Sequence, residues 1–194
     1  MRLFVLARHG QSELNARGVI NGDPDVPVAL SEEGEHEAAQ LGEEVANIPL
    51  DLCVHTRFGR TAATAEIVLR GRDAPLVCEP LLDDVDVGEL EGETIVDYPA
   101  WKREHRSSDP FPGGESLDDA AQRYAEGFRR LLARPESSVL AICHEIPVRY
   151  AVNAAAGSNQ LDGPTHNIRN AAPYLFSADA LERAASRIDE LASR

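Results

Sequence analysis

Five short apolar runs, at residues 3–7, 51–55, 74–78, 138–143 and 172–176, are bounded by charged or turn-forming residues and predict five buried strands. Helical periodicity fills the intervals between them. In residues 31–48, Ala38, Leu41, Val45 and Ile48 fall on one face, Ser31 is placed to cap the helix, and Glu32 and Glu33 complement its positive end. Residues 59–70 predict a second helix stopped by Gly71, and residues 116–133 a third closed by Pro135. Another follows Cys143 despite Pro147, and a last one starts at Ala178. Strands alternating with helices predict an α/β fold, a three-layer α/β/α sandwich around a mainly parallel central sheet. In such folds ligands bind beyond the carboxyl ends of the strands. Two stretches break the alternation, 19–30 and 83–115, and long connections in a compact domain are often functional. With no internal repeat or linker, one domain over residues 1–194 is expected.

Charge narrows the choice of ligand. The formal net charge of -14, from 19 basic and 33 acidic residues, argues against nucleic acid or anionic membrane as partner, since both need a cationic surface. An anionic small molecule would have to be held in a local basic pocket. Cys53, Cys78 and Cys143 stand far apart in apolar runs without metal-ligand spacing, so reduced, buried thiols are expected and no metal centre is. The first apolar run ends at Arg8, too short for a signal-peptide core or a membrane span, and a cytoplasmic location is expected.

The opening strand runs directly into Arg8, His9 and Gly10. Arginine offers a planar fork for an anion, histidine a nucleophile that can be neutral at physiological pH, and glycine a backbone that can approach a ligand closely. The segment 53–68, CVHTRFGRTAATAEIV, leaves a strand and enters a helix with Arg57 and Arg60 near its start, where free amides already favour anions. In SVLAICHEIPVRY, residues 138–150, another strand ends in a histidine, His144, followed by Glu145. Two strands ending in histidine, in an alternating fold, would bring both rings to one rim.

These stretches together resemble the histidine phosphatase superfamily. ARHGQSELNARGVINGD, TRFGRTAATAEI, PGGES at 112–116 and VLAICHE follow the family's motifs in order and cover most of the chain. The resemblance implies in-line attack of His9 on phosphorus to form a phosphohistidine that water then hydrolyses. Arg8, Arg60 and protonated His144 would stabilise the equatorial oxygens, with no metal or other cofactor required. It also implies that Asn15, Asn21 and Gly22, with Gly10, contact substrate or hold the first histidine's loop.

Three features depart from the family's pattern. The mutase-like branch supplies its proton donor as a glutamate, and the matching position here is Asp84, one methylene shorter. The acid-phosphatase branch uses the residue after the second histidine, here Glu145, so both stand as candidates, Asp84 preferred. An arginine expected a few residues after the first motif is replaced by Val19, for which Arg17 or Arg57 could compensate. The remaining acids of this stretch, Asp83, Asp86, Glu89 and Glu91, are expected to be solvated.

Residues 92–115 lack the paired arginines of the family's mutases, which favours hydrolysis of a small phosphomonoester over mutase transfer. A phosphate-binding module without turnover is the alternative of a different class. Lys102, Arg103, His105 and Arg106, around Trp101, form either a lid or a solvated helix face, the latter preferred.

Overall fold

In the computed structural model, which describes residues 2–193, the predicted strands appear as β1 (Leu3–Arg8), β2 (Leu52–His55), β3 (Leu76–Cys78), β4 (Ser138–Cys143) and β5 (Pro173–Ser177). They join into one sheet in the order β3-β2-β4-β1-β5. The first four are mutually parallel, and β5 closes the β1 edge antiparallel. The strands read as unbroken apolar runs because both faces are covered. Phe4 and Leu6 point into one cluster, Val5 and Ala7 into the other, and every residue of β4 is buried.

Seven helices flank the sheet: α1 (Glu13–Ala16), α2 (Glu32–Glu44), α3 (Gly59–Val68), α4 (Asp97–Glu104), α5 (Leu117–Ala133), α6 (Glu145–Ala155) and α7 (Ala178–Ala192). Helices α2 and α3 contribute to the core on one face, and α5, α6 and α7 to the larger core on the other. Serine side chains start α2, α5 and α7, as Ser12 does the single turn of α1. Ser31 accepts from the Gly34 amide at 3.1 Å and Ser177 from the Ala180 amide at 3.2 Å, while Ser116 and Asp119 form a reciprocal capping box. Helix α5 buries Ala120, Ala121, Tyr124, Ala125, Phe128 and Leu131, the period expected of a helix lying across a sheet, and stops before Pro135. Helix α1, a single turn, was not foreseen, whereas α4 falls where a helix face around Trp101 was the preferred reading.

Two expectations are corrected here. Cys78 is exposed at the end of edge strand β3, whereas Cys53 and Cys143 are buried; all three are free thiols. Asp83 is buried, its carboxylate taking the Arg57 amide at 2.9 Å and pairing with the Arg57 guanidinium. Among the described residues, no helix is long and apolar enough to cross a membrane.

Candidate active site

Because β1 and β4 are adjacent and parallel, with Arg8 in register with Cys143, they deliver His9 and His144 to the same rim. The His9 amide donates to the Cys143 carbonyl at 3.0 Å, extending the ladder by one bond, and the two rings meet edge to face at 5.4 Å. Asn170 Nδ2 holds the His9 carbonyl at 2.9 Å. The rim predicted from the two strand exits therefore exists, and both histidines are buried in it.

His9 Nδ1 lies 2.6 Å from the Gly10 carbonyl, an acceptor, so this nitrogen carries the proton. That leaves Nε2 with a free lone pair, and Arg60 Nε donates to it at 2.9 Å. Burial, reinforced by the positive charges of Arg60, His144 and Arg8, holds the His9 pKa well below 6.5. The ring is thus held neutral, with the Nε2 lone pair turned toward Arg60.

Arg60 sits in the first turn of α3 and its guanidinium touches every other element of the site. Nη2 reaches the Asn21 carbonyl at 3.0 Å, Asp84 Oδ2 at 3.1 Å and His144 Nδ1 at 3.2 Å, Nη1 donates to Asn21 Oδ1, and the group lies over the Phe58 ring. His144 is tied on its far side to Thr56, whose Oγ1 is 2.9 Å from Nε2. Thr61 donates to the Phe58 carbonyl at 2.8 Å, so Thr56 can give its proton to Thr61 and accept from His144 Nε2. Nδ1 then faces Arg60 and Asp84.

Burial lowers the His144 pKa, with Asp84 opposing it. The protonated His144 expected from sequence is thus a state that an added anion must induce, not the resting one. Asp84 experiences the converse. Burial pushes its carboxyl up, but His144, Arg60 and His9 outweigh burial and hold it well below the usual carboxylate range. The shift of all three groups has the same consequence for folding. The histidines are kept neutral and the carboxylate charged in the folded chain, so the unfolded chain binds more protons as pH falls below 6.5, and stability is lost progressively with acidification. Thermal melts are expected to show the midpoint dropping between pH 7.5 and pH 5, with a smaller drop in His9→Gln, which removes one suppressed titration; these pH values are about one unit either side of the ordinary histidine range.

Glu145 caps no amide and lies further out. Its Oε2 pairs with Arg8 Nη1 at 2.8 Å and its Oε1 with Arg149 Nη1 at 3.1 Å. Arg8 Nη1 also donates to the Ile168 carbonyl at 3.0 Å, while its buried Nε has no partner. Asn15 lines the cavity and closes the capping box of α1 with Ser12.

Gly10 and Gly22 are places of close backbone approach. A Cβ on Gly10 would meet the Gly34 carbonyl oxygen of α2 at 2.3 Å, and its amide donates to Thr64 Oγ1 at 3.0 Å. A Cβ on Gly22 would meet the Val85 carbonyl oxygen at 2.4 Å, and Gly22 also lines the cavity.

Sequence reasoning missed several members. Glu91, expected in solvent, accepts from Asn21 Nδ2 at 2.8 Å and from the Gly22 and Asp23 amides at 2.6 and 3.2 Å, and so fixes the loop that grips Arg60. Neither Arg17 nor Arg57 replaces the cation missing at Val19: Arg17 is exposed, Arg57 is bound to Asp83, and neither lines the cavity. Arg149 and Lys102 do line it. Helix α4, expected to be a solvated face, forms one wall of the site through Tyr98, Pro99, Lys102 and Arg103, while Trp101 stacks on Phe111 with centroids 4.1 Å apart. The enclosed space is about 590 Å³. The only sequence signal for Glu91 and Arg149 was their charge, in a chain rich in charge, whereas Lys102 stood in the locally basic stretch for which a lid was one of the two readings.

A buried, neutral histidine held by an arginine beside a second histidine at the carboxyl ends of two neighbouring parallel strands is an arrangement built for phosphoryl groups. Residues 4–190 match the histidine phosphatase superfamily (branch 1), and the chain belongs to that family. Among curated relatives, "Probable phosphoglycerate mutase GpmB" of Erwinia tasmaniensis is 29% identical over 165 residues, covering 81% of this chain and 76% of that protein. Among solved structures, YhfR of Bacillus stearothermophilus superposes with a TM-score of 0.78 at 25% identity, covering 89% of each chain. The alpha-ribazole phosphatase of Shigella flexneri does so with 0.77 at 22%, also covering 89% of each. A mycobacterial glucosyl-3-phosphoglycerate phosphatase, solved with VO3, gives 0.76 at 23% over 91% of this chain and 93% of its own. At these identities the last two show a shared fold.

Proposed function

We propose that this protein is a metal-independent phosphomonoesterase acting through a phosphohistidine on His9. The observation that carries the reading is the clamp on that ring: Nδ1–H is spent on the Gly10 carbonyl, and Nε2 faces Arg60 at 2.9 Å with His144 beside it. A phosphoryl group entering there would take over the Arg60 donor and meet Arg8 and His144, the cations that spreading negative charge requires.

In the first step His9 Nε2 bonds to phosphorus as the bond to the alcohol oxygen breaks, and that oxygen takes a proton from Asp84. In the second, water attacks phosphorus and returns a proton to Asp84, the P–N bond breaks, and inorganic phosphate leaves. Asp84 must therefore be protonated at the start, whereas the free enzyme keeps it ionised between Arg60 and His144. A bound phosphate dianion supplies the missing change. It competes for the Arg60 guanidinium and the His144 ring that stabilise the carboxylate and adds a like charge nearby, and both effects raise the Asp84 pKa. Glu145, shared by Arg8 and Arg149, is the second candidate donor.

Hydrolysis is favoured over mutase transfer because α4 brings no paired guanidinium to the cavity: Arg103 is exposed at its wall, and Lys102 is bound to Asp162. The free thiols, two of them buried, suit a reducing compartment, and the acidic chain suits a small-molecule substrate over nucleic acid.

Phosphate release from p-nitrophenyl phosphate in the presence of a chelator is the first test. No release from that ester or from several alkyl phosphates would replace this reading with a phosphate-binding module. The acid is found by changing the leaving group. Asp84→Asn is expected to slow hydrolysis of an alkyl phosphate by about 10²-fold or more and that of p-nitrophenyl phosphate by less than about tenfold, since nitrophenolate needs little proton assistance. The same split in Glu145→Gln, and not in Asp84→Asn, would move the role to Glu145.

A further inference from the structure

Beyond the phosphate end, the charged side chains of the cavity are arranged as an alternating series. Glu145 Oε1 meets Arg149 Nη1 at 3.1 Å, Arg149 Nη2 meets Asp162 Oδ1 at 3.0 Å, and Asp162 Oδ2 meets Lys102 Nζ. All four line the cavity, and two carboxylates cancel two cations. Only Arg8, at the near end of the series and 2.8 Å from Glu145, joins it to the phosphate site. A second anion on the substrate would find Arg149 and Lys102 already neutralised and would be repelled by Asp162 and Glu145, which leaves Arg103, exposed at the wall, as the distal lining cation outside the series.

Val19, Ile20, Val87, Ile95, Tyr98 and Ile146 give the wall an apolar stretch, beside which Arg103 and His166 also line it. Among the buried polar atoms of the lining residues, the donors Arg8 Nε, Tyr98 hydroxyl and Arg149 Nε and the acceptor Asp162 Oδ1, its ion pair with Arg149 apart, make no hydrogen bond. Buried donors without partners are costly, and a ligand that supplies acceptors recovers that cost. The volume of about 590 Å³ falls in the range that encloses a drug-sized molecule, well beyond what a three-carbon acid fills.

We infer that the site is built for phosphomonoesters of uncharged alcohols with an apolar face and a hydrogen-bond acceptor, and that the Glu145–Arg149–Asp162–Lys102 series discriminates against substrates carrying a carboxylate or second phosphate. This rests on the phosphatase reading above. Glu145 and Asp162 are the residues that set the discrimination, by occupying cations that would otherwise receive the second anion.

The test compares three phosphate esters with similar aliphatic leaving groups, 2-phenylethyl phosphate, glycerol 3-phosphate and 3-phosphoglycerate, with p-nitrophenyl phosphate as the measure of turnover itself. Wild-type kcat/KM is expected to be highest for 2-phenylethyl phosphate and at least about tenfold lower for 3-phosphoglycerate than for glycerol 3-phosphate, the size of one unfavourable charge contact. Asp162→Asn, which releases Arg149 and Lys102 together, is expected to narrow the ratio of glycerol 3-phosphate to 3-phosphoglycerate by about tenfold. A wild type that hydrolyses 3-phosphoglycerate as well as glycerol 3-phosphate overturns the inference and leaves the phosphatase reading standing, and it needs no variant to fold. An Asp162→Asn enzyme with an unchanged ratio overturns the role given to the series. Turnover of none of the four esters overturns both.

Discussion

A His9→Ala enzyme is expected to release phosphate from p-nitrophenyl phosphate at least about 10⁴-fold more slowly than wild type, since loss of a nucleophile removes the covalent route and leaves only what binding and electrostatics supply. Rapid quenching of wild type with a labelled phosphomonoester should trap an acid-labile, base-stable label that the variant lacks. Binding should respond differently from turnover. Arg8, Arg60 and His144 remain, and the positive charge around the vacated ring is no longer opposed by the need to keep it neutral, so affinity for inorganic phosphate should be kept within about tenfold. Label on wild type and none on the variant, with phosphate still bound by both, identifies His9 as the group that carries the phosphoryl. A variant that turns over at more than a tenth of the wild-type rate would mean that water attacks phosphorus directly and that the clamp on His9 has another purpose.

Arg60→Met should give the next largest loss, about 10³-fold in kcat/KM, comparable to what a guanidinium contributes to other phosphoryl transfers. The substitution keeps an unbranched side chain over Phe58 but removes the donors to His9 Nε2, to Asn21, to Asp84 and to His144. Two changes follow besides weaker phosphate affinity. The loop carrying Asn21 loses its inner anchor and keeps Glu91 and the backbone bonds of Ile20 to Gly92 and Glu93. Asp84 loses the guanidinium beside it, so its pKa should rise, and because it must be protonated to donate, the alkaline limb of the pH–rate profile should move upward. The profile separates this from a variant that is merely misfolded, which would lose amplitude without shifting the limb. Retention of activity within tenfold would show that Arg8 and His144 suffice.

Much of this arrangement could be read before any coordinates, for reasons that differ from part to part. The strands were legible because burial on both faces leaves continuous apolar runs, and the capped helices because serine followed by acidic residues signals a start that local hydrogen bonding enforces. Arg8, His9 and His144 were legible because a strand end fixes where its next residue goes. Parts assembled from distant loops were not. Glu91 and Asp83 look like any other acid in an acidic chain, and their burial depends on partners 70 and 26 positions away. A missing side chain marks a close approach but does not say of what, and at Gly10 the structure shows the first turn of α2. For the residues around Trp101 the lid and the solvated face stood as alternatives, and the less favoured one is nearer to the wall that α4 forms, because their place depends on a distant partner, Phe111, on which Trp101 stacks.

The placement of β1 has a consequence for how the chain acquires its activity during synthesis. The first strand made pairs with β4 and β5 alone, and β2 with β3 and β4. Apart from the Leu3 amide, which donates to the Ser137 carbonyl, the ladder partners of β1 lie in Ser138–Cys143 and Pro173–Ser177, and until these are made β1 is apolar and unpaired. Long waits for distant partners slow folding and expose sticky sequence. The rim that sets His9 beside His144 therefore forms only after β4 has been made, and a chain terminated before it carries His9 without its partner ring.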